Sequence, residues 1–137
     1  MDGAWRFATD GETVYVCEET ACTDISATAR VSCQFPGGAR VESRYTVSDG
    51  GVTVEVCGKE YEEIAFLLPA FAFDGERQTE ITARAHELLV RYEGACCRIR
   101  TDGEVIDTGL RGGNRNGCYR GFAAVGRGRL RVEVEIV

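Results

Sequence analysis

Short segments of alternating apolar and polar residues, separated by glycine-containing turns, recur along the chain and constrain its fold more than any other feature. The turn signals are Asp10-Gly11, Pro36-Gly37-Gly38, Asp49-Gly50-Gly51, Asp74-Gly75, Glu93-Gly94, Asp102-Gly103 and Asn116-Gly117. Short strands between such turns are typical of two packed antiparallel sheets. We therefore predict an all-β fold, an antiparallel two-sheet β-sandwich of about ten to twelve short strands, forming one domain over residues 1–137.

The hairpin around Asp49-Gly50-Gly51 is the clearest local example of this pattern. Residues 40–48 and 52–57 alternate at period two on either side of it, and the triplet supplies the positive φ angles that a tight connection needs. The last strand alternates equally well, with Leu130, Val132 and Val134 set against charged residues. The full set of predicted strands is 13–18, 25–35, 40–48, 52–57, 63–68, 78–85, 87–92, 95–101, 105–108, 121–125 and 130–137.

Residues 78–92 leave a second interpretation open. Glu80 with Arg84 and Glu87 with Arg91 are spaced as i,i+4 pairs. Apolar residues also fall at helical spacing, namely Ile81, Ala85, Leu88, Leu89 and Tyr92. We favour strands because the Glu93-Gly94 turn indicates a hairpin, but a helix at about 78–92 would make the class α+β.

Charge and hydrophobicity exclude two classes of partner. The formal net charge is −6, so a nucleic-acid backbone is not the expected partner. The longest uncharged apolar run, residues 64–73, is shorter than the roughly 20 residues that span a bilayer, and we expect no membrane insertion. The first five residues lack the cationic patch that opens a secretory signal. We expect a cytoplasmic protein, unless the chain is a fragment of a secreted one.

The cysteines and the histidine indicate no metal or cofactor. The seven cysteines include no C-x-x-C pair, and no metal-ligand spacing is present. Cys33 and Cys57 lie within alternating segments, so we interpret most of these thiols as reduced core residues. His86 is the only histidine and its neighbours form no catalytic motif, so we assign no catalytic residue.

The segment from Gly109 to Gly121 is the one concentrated basic stretch, with five glycines and three arginines. We interpret it as a loop in which arginine forks and a tyrosine plate bind an anion such as a uronic acid or a sulfated sugar. Trp5 is a further candidate for stacking on a sugar ring, as is Tyr61. A hairpin connection without a ligand explains the same composition. The candidate ligand-binding residues are Arg111, Arg115, Tyr119, Arg120 and Trp5.

A family resemblance adds to these observations. The hairpin Arg44-Tyr45-Thr46-Val47-Ser48-Asp49-Gly50-Gly51-Val52 and the run Ile64-Ala65-Phe66-Leu67-Leu68-Pro69 resemble the C-terminal β-sandwich modules of polysaccharide-degrading enzymes, most nearly the heparinase II/III-type lyases. The likeness extends from about Asp24 to Thr108 and includes no catalytic motif. In that family a helical toroid precedes the sandwich. The resemblance implies a fragment or C-terminal module that packs beside an upstream helical catalytic domain.

We therefore expect a non-catalytic accessory domain of a carbohydrate-active protein, serving domain packing and contact with an acidic glycan. Two alternatives remain open. One is a free-standing small-ligand-binding β-barrel or jelly roll with an internal pocket. The other is an enzyme that uses Cys118 or Cys96 as its nucleophile.

Overall fold

The computed structural model describes residues 14–60 and 62–137, and these residues form eleven strands in two antiparallel sheets. The strands are β1 (Val14–Cys22), β2 (Ser26–Gln34), β3 (Arg40–Ser48), β4 (Gly51–Cys57), β5 (Glu63–Phe73), β6 (Glu80–Arg84), β7 (Glu87–Tyr92), β8 (Ala95–Thr101), β9 (Glu104–Asn114), β10 (Gly117–Arg127) and β11 (Arg129–Ile136). The predicted all-β class is confirmed. The alternative helix at 78–92 is wrong, because that segment forms β6, a two-residue turn and β7.

The two sheets differ in size. The large sheet has eight strands in the order β1-β2-β3-β4-β11-β8-β7-β6, and the small sheet has three in the order β5-β10-β9. Both orders are open, with edge strands β1 and β6 in one sheet and β5 and β9 in the other. The described strands therefore form a sandwich and not the closed barrel of the alternative interpretation.

The core lies between the small sheet and the middle strands of the large sheet. Phe122 of β10, Leu88 of β7 and Val132 of β11 are its largest fully buried side chains. The other members of the cluster are Val54, Val56, Ile64, Leu68, Ala70, Ile99, Ala124 and Leu130. Burial of apolar area contributes about 25 cal/mol per Å², so this one cluster is the main favourable term in folding.

The outer face of the large sheet is covered by ion pairs. Arg98 lies 3.4 Å from Glu87 and 3.3 Å from Glu135, and Arg100 lies 3.5 Å from Glu133. These residues face one another across β7, β8 and β11 in the strand register. Each exposed pair stabilises the fold by only about 0–1 kcal/mol, but opposite charges across strands favour this register over its neighbours.

Several strands are longer than the alternation predicted, and three of them, β5, β9 and β10, shape the small sheet. β5 continues past Pro69 to Phe73, which is possible because β5 is an edge strand, where proline is tolerated. β9 and β10 continue through most of Gly109–Gly121 and leave only Arg115 and Asn116 as the turn. The basic segment is therefore a β-hairpin and not a loop.

The Asp49-Gly50 turn joins β3 to β4 as expected, but its glycines have different roles. Only Gly51 has a positive φ, 135°, and it already pairs with Ser48 at the start of β4. A Cβ on Gly51 would overlap the carbonyl oxygen of Val134 in β11, whereas a Cβ on Gly50 meets nothing closer than 3.9 Å. Gly51 is thus required by the close approach of β11 as well as by the turn.

Gly51→Ala should lower the free energy of unfolding by about 2 kcal/mol or more, because the new methyl group meets backbone and the φ angle is strained. Gly50→Ala is the matched control, and we expect it to change that free energy by less than about 1 kcal/mol. Urea unfolding followed by circular dichroism measures both. Equal effects of the two substitutions would contradict the assigned role of β11.

Phe122→Ala should lower the free energy of unfolding by about 3–5 kcal/mol, because it leaves a cavity at the centre of the core. Phe122→Leu retains most of the buried volume and should cost much less. The comparison uses the same urea unfolding assay. A small loss for the alanine variant would mean that the two sheets do not pack through this residue.

Candidate functional site

The hairpin of β9 and β10 extends beyond the core and carries most of the residues predicted to bind a ligand. We call its distal part, residues 109–120, the arm. All β9 residues of the arm are exposed, and a register shift between Arg120 and Phe122 separates the arm from the core part of β10. Gly112 carries no side chain and has open space around it. The arm therefore offers accessible backbone flanked by arginines.

An open cleft of about 490 Å³ lies between the arm and the end of β5. Its polar and aromatic lining is Phe73, Gln78, Arg111, Cys118, Tyr119 and Arg120. A second hollow of about 450 Å³ lies beside the turn and is lined in part by Asp74, Asn114 and Arg115. The structure thus brings Arg111, Tyr119 and Arg120 together, and places Arg115 in the neighbouring hollow.

Asp107 is the counter-ion of this cleft. Arg120 donates from Nη2 to Asp107 Oδ2 over 2.8 Å, and Arg111 Nη1 lies 3.7 Å from Oδ1. The Gly109 backbone N–H donates to Oδ1 over 2.9 Å. This backbone bond and the Arg120 guanidinium hold the pKa of Asp107 below its usual value. Asp107 is ionised at neutral pH and offsets part of the positive charge of the cleft.

Arg120 is held by packing as well as by charge. Its guanidinium carbon lies 5.0 Å from the centre of the Phe122 ring, a cation–π distance. Its Nε atom is buried without a hydrogen-bond partner in the described part of the chain. Arg111 is more exposed and donates to its neighbour's carbonyl oxygen, that of Leu110, over 2.9 Å. Arg120 is therefore held in place more firmly than Arg111, whose side chain is the more exposed of the two.

Tyr119 is not a free stacking plate. Its ring packs at 60° to that of Phe71 with centres 5.4 Å apart, and Phe71 also packs edge-on against Tyr92 at 5.6 Å. Aromatic pairs of this geometry stabilise one another through ring edges and faces. Tyr119 is consequently half-buried, and its main contact anchors the arm to β5 and β7.

Asp74 fixes the turn that carries the chain from β5 to β6. Its Oδ1 accepts the backbone N–H groups of Glu76 and Arg77 at 2.7 and 2.6 Å, and its Oδ2 accepts the Tyr92 hydroxyl at 2.5 Å. The Tyr92 bond, followed by the two backbone bonds, lowers the pKa of Asp74 from 3.8 to about 2. The same bond raises the pKa of Tyr92.

Trp5 and Tyr61 lie outside the described residues, so the structure does not place these two candidates. Sequence reasoning did not select Gln78, which lines the cleft, or Asp107, which pairs with the lining arginines, as ligand contacts. Asp107 precedes Gly109 by two positions, and this spacing is a signature of an Asx turn that indicates a fixed carboxylate. No comparable signal marks Gln78, which reaches the cleft because it pairs with Phe73.

The cysteines do not form the expected core set. All seven are free thiols and only Cys33 is buried, so the prediction that most are core residues is wrong. Cys57 is exposed at the end of β4. Cys97 is half-buried, and this burial raises the pKa of its thiol. Alternation placed Cys33 and Cys57 in strands correctly, but it did not show which strands are covered.

His86 does not support either cysteine as a nucleophile. It is exposed in the turn between β6 and β7, where its Nδ1 lies 2.5 Å from the carbonyl oxygen of Gly103 and must carry the proton. β9 runs from this end of the molecule to the turn beside Cys118, a separation of about 30 Å. Cys96 lies at the far end of β8. Neither thiol has His86 as a base.

Residues 14–60 and 62–137 contain no group of three or more His, Cys, Asp or Glu side chains arranged to hold a metal ion. In the same residues, no helix is long and apolar enough to cross a membrane. Comparisons of the chain with protein-family models, with curated proteins and with solved structures find no match. The cleft geometry and the fold are therefore the basis of any functional conclusion.

Asp74→Asn should lower stability at neutral pH, because the folded state favours the Asp74 carboxylate. Since the pKa of Asp74 falls from 3.8 to about 2 on folding, this contribution is present above about pH 4 and is lost as the pH drops through about 2. We expect the difference in urea midpoint between the two proteins to narrow between pH 5 and pH 2. Asp24→Asn is the control for a change of charge alone, and a difference independent of pH would contradict the assignment.

Proposed function

We propose that this chain is a non-catalytic β-sandwich accessory domain of a carbohydrate-active protein, and that the cleft beside the arm binds an acidic glycan. The observation that carries the proposal is the convergence of Arg111 and Arg120 on one open cleft of about 490 Å³. The cleft is shallow and open, which suits a segment of an extended chain better than an enclosed small molecule.

The chemistry of the lining supports an anionic sugar as the ligand. Guanidinium groups bind carboxylates and sulfates through paired N–H donors, and such charge-assisted bonds are about twice as strong as neutral ones. Phe73 supplies apolar surface at one side and Gln78 supplies an amide for hydroxyl groups. A uronate unit has a carboxylate, an apolar ring face and hydroxyl groups. The arginines, Phe73 and Gln78 of the cleft match these three features in turn.

We further propose that the outer face of the small sheet packs against an upstream helical domain. In β10, Phe122 and Ala124 belong to the core cluster, so alternation places Ala123 on the opposite face of the sheet, where its side chain is already fully covered. Its register partners are Leu67 in β5 and Ile106 in β9. The middle of this face is apolar, in contrast to the ion-paired outer face of the large sheet, and apolar faces are the ones that pack against other domains.

Arg111→Ala and Arg120→Ala should each weaken binding of a hexamer of galacturonic acid by about tenfold or more, because each removes charge-assisted hydrogen bonds to carboxylate. Isothermal titration calorimetry at low salt measures the affinity. Arg44→Ala is the matched control, because Arg44 is on β3 in the large sheet, away from the arm. The methyl-esterified hexamer tests the requirement for charge.

The proposal is overturned if the unaltered protein binds neither the galacturonic acid hexamer nor a heparin hexasaccharide. It is also overturned if the esterified hexamer binds equally well, since the arginines would then have no part in recognition.

A further inference from the structure

We infer that Asp107 is an internal substitute for the ligand's acid group: it pairs with the arginines of the cleft and is displaced from them when an acidic ligand binds. This inference rests on the proposed function and specifies how the site is regulated. It assigns Asp107 a competitive role and not a role in positioning the arginines. The two roles predict affinity changes of opposite sign when the charge of Asp107 is removed.

The contact between Arg120 and Asp107 uses only part of the guanidinium. A carboxylate that fully engages arginine accepts two parallel N–H bonds, whereas Asp107 accepts one, from Nη2. The Nε of Arg120 is buried and has no partner in the described residues. A buried donor without a partner is unfavourable, so Arg120 can reach a better arrangement than this one.

The buried Nε of Arg120 differs from the buried Nε atoms of two other arginines. Arg30 and Arg98 also have a buried Nε without a hydrogen bond. In those two cases a glutamate oxygen lies near that atom, at 3.6 Å from Arg30 and 3.4 Å from Arg98. The ion pair of Arg120 with Asp107 is instead made through Nη2, at 2.8 Å. Arg120 therefore keeps unused capacity for a second carboxylate contact after a small rotation of its guanidinium.

Arg111 is held even less tightly. Its distance of 3.7 Å to Asp107 is too long for a hydrogen bond, and 56% of its side chain is exposed. Its other contact, the hydrogen bond to the carbonyl oxygen of Leu110, is also exposed to water, so both interactions are weak. Arg111 can therefore turn toward a ligand without losing a strong interaction.

Asp107 keeps other interactions when its contacts with the two arginines are broken. Its Oδ1 keeps the hydrogen bond from the Gly109 N–H, and 41% of its side chain is exposed to water. The cation–π contact of Arg120 is made by the guanidinium carbon itself, 5.0 Å from the centre of the Phe122 ring, so the head group keeps it only by turning in place over the ring. Exchange of Asp107 for a ligand carboxylate then leaves neither the part-exposed Asp107 nor Arg120 as a buried unpaired charge.

Asp107→Asn provides the test. The asparagine oxygen can still accept the Gly109 N–H and so preserve the turn, while the competing charge is removed. We expect the galacturonic acid hexamer to bind about three- to tenfold more tightly, the effect of removing one like charge a few ångströms from the ligand. Asp24→Asn makes the same change in net charge at the turn between β1 and β2 and should leave the affinity within about twofold.

Calorimetry gives the affinities, and thermal unfolding establishes that each variant is folded. If Asp107→Asn is unfolded at the assay temperature, Asp107→Ser replaces it, because the serine hydroxyl also accepts the turn N–H. Unchanged or weaker binding by the folded variant overturns the inference, while the proposed function survives if the unaltered protein binds and the arginine variants do not. Absence of binding by every protein defeats the proposed function itself.

Discussion

The packing of one buried strand against the larger sheet is the interaction on which the rest of the molecule depends. β10 is the middle strand of the small sheet, and its Phe122 lies in the same core cluster as Leu88 and Val132 of the large sheet. Because the small sheet has only three strands, two of them edges, it has little stability of its own. Burial of its apolar face holds it in place, and with it the arm.

The arm shows how a binding surface can be built at the border of such a core. The same two strands supply core residues at one end and exposed arginines at the other, and the register shift near Arg120 marks the change. Aromatic contacts of Tyr119 with Phe71, and the bond of Tyr92 to Asp74, connect the arm to the corner where β5 leaves the small sheet. These contacts support the cleft at the end of β5 and at the turn that follows it.

The local sequence predicted which arginines form the candidate site, but it did not predict the strand pairing or the contacts between distant residues. The concentration of arginines between Gly109 and Gly121 is visible in the chain, and the structure does place Arg111 and Arg120 together. Glycine content suggested a loop, but β10 pairs with strands on both sides, and these hydrogen bonds outweigh the weak strand propensity of glycine. Tyr119 was predicted to be a stacking plate for a ligand, yet it packs against Phe71, which is distant in sequence.

The sequence alone determined the strands and most of the turns, because alternation at period two and the dihedral demands of turns depend on neighbouring residues. The tertiary structure decided everything that depends on which strands become neighbours. It explains why Gly51 must be glycine, since β11, encoded more than half the chain later, passes against it. It also decides which cysteines are covered, and it joins Asp107 to Arg120 across two paired strands. Pairing between distant segments is set by burial of the shared core, which no local window of residues contains.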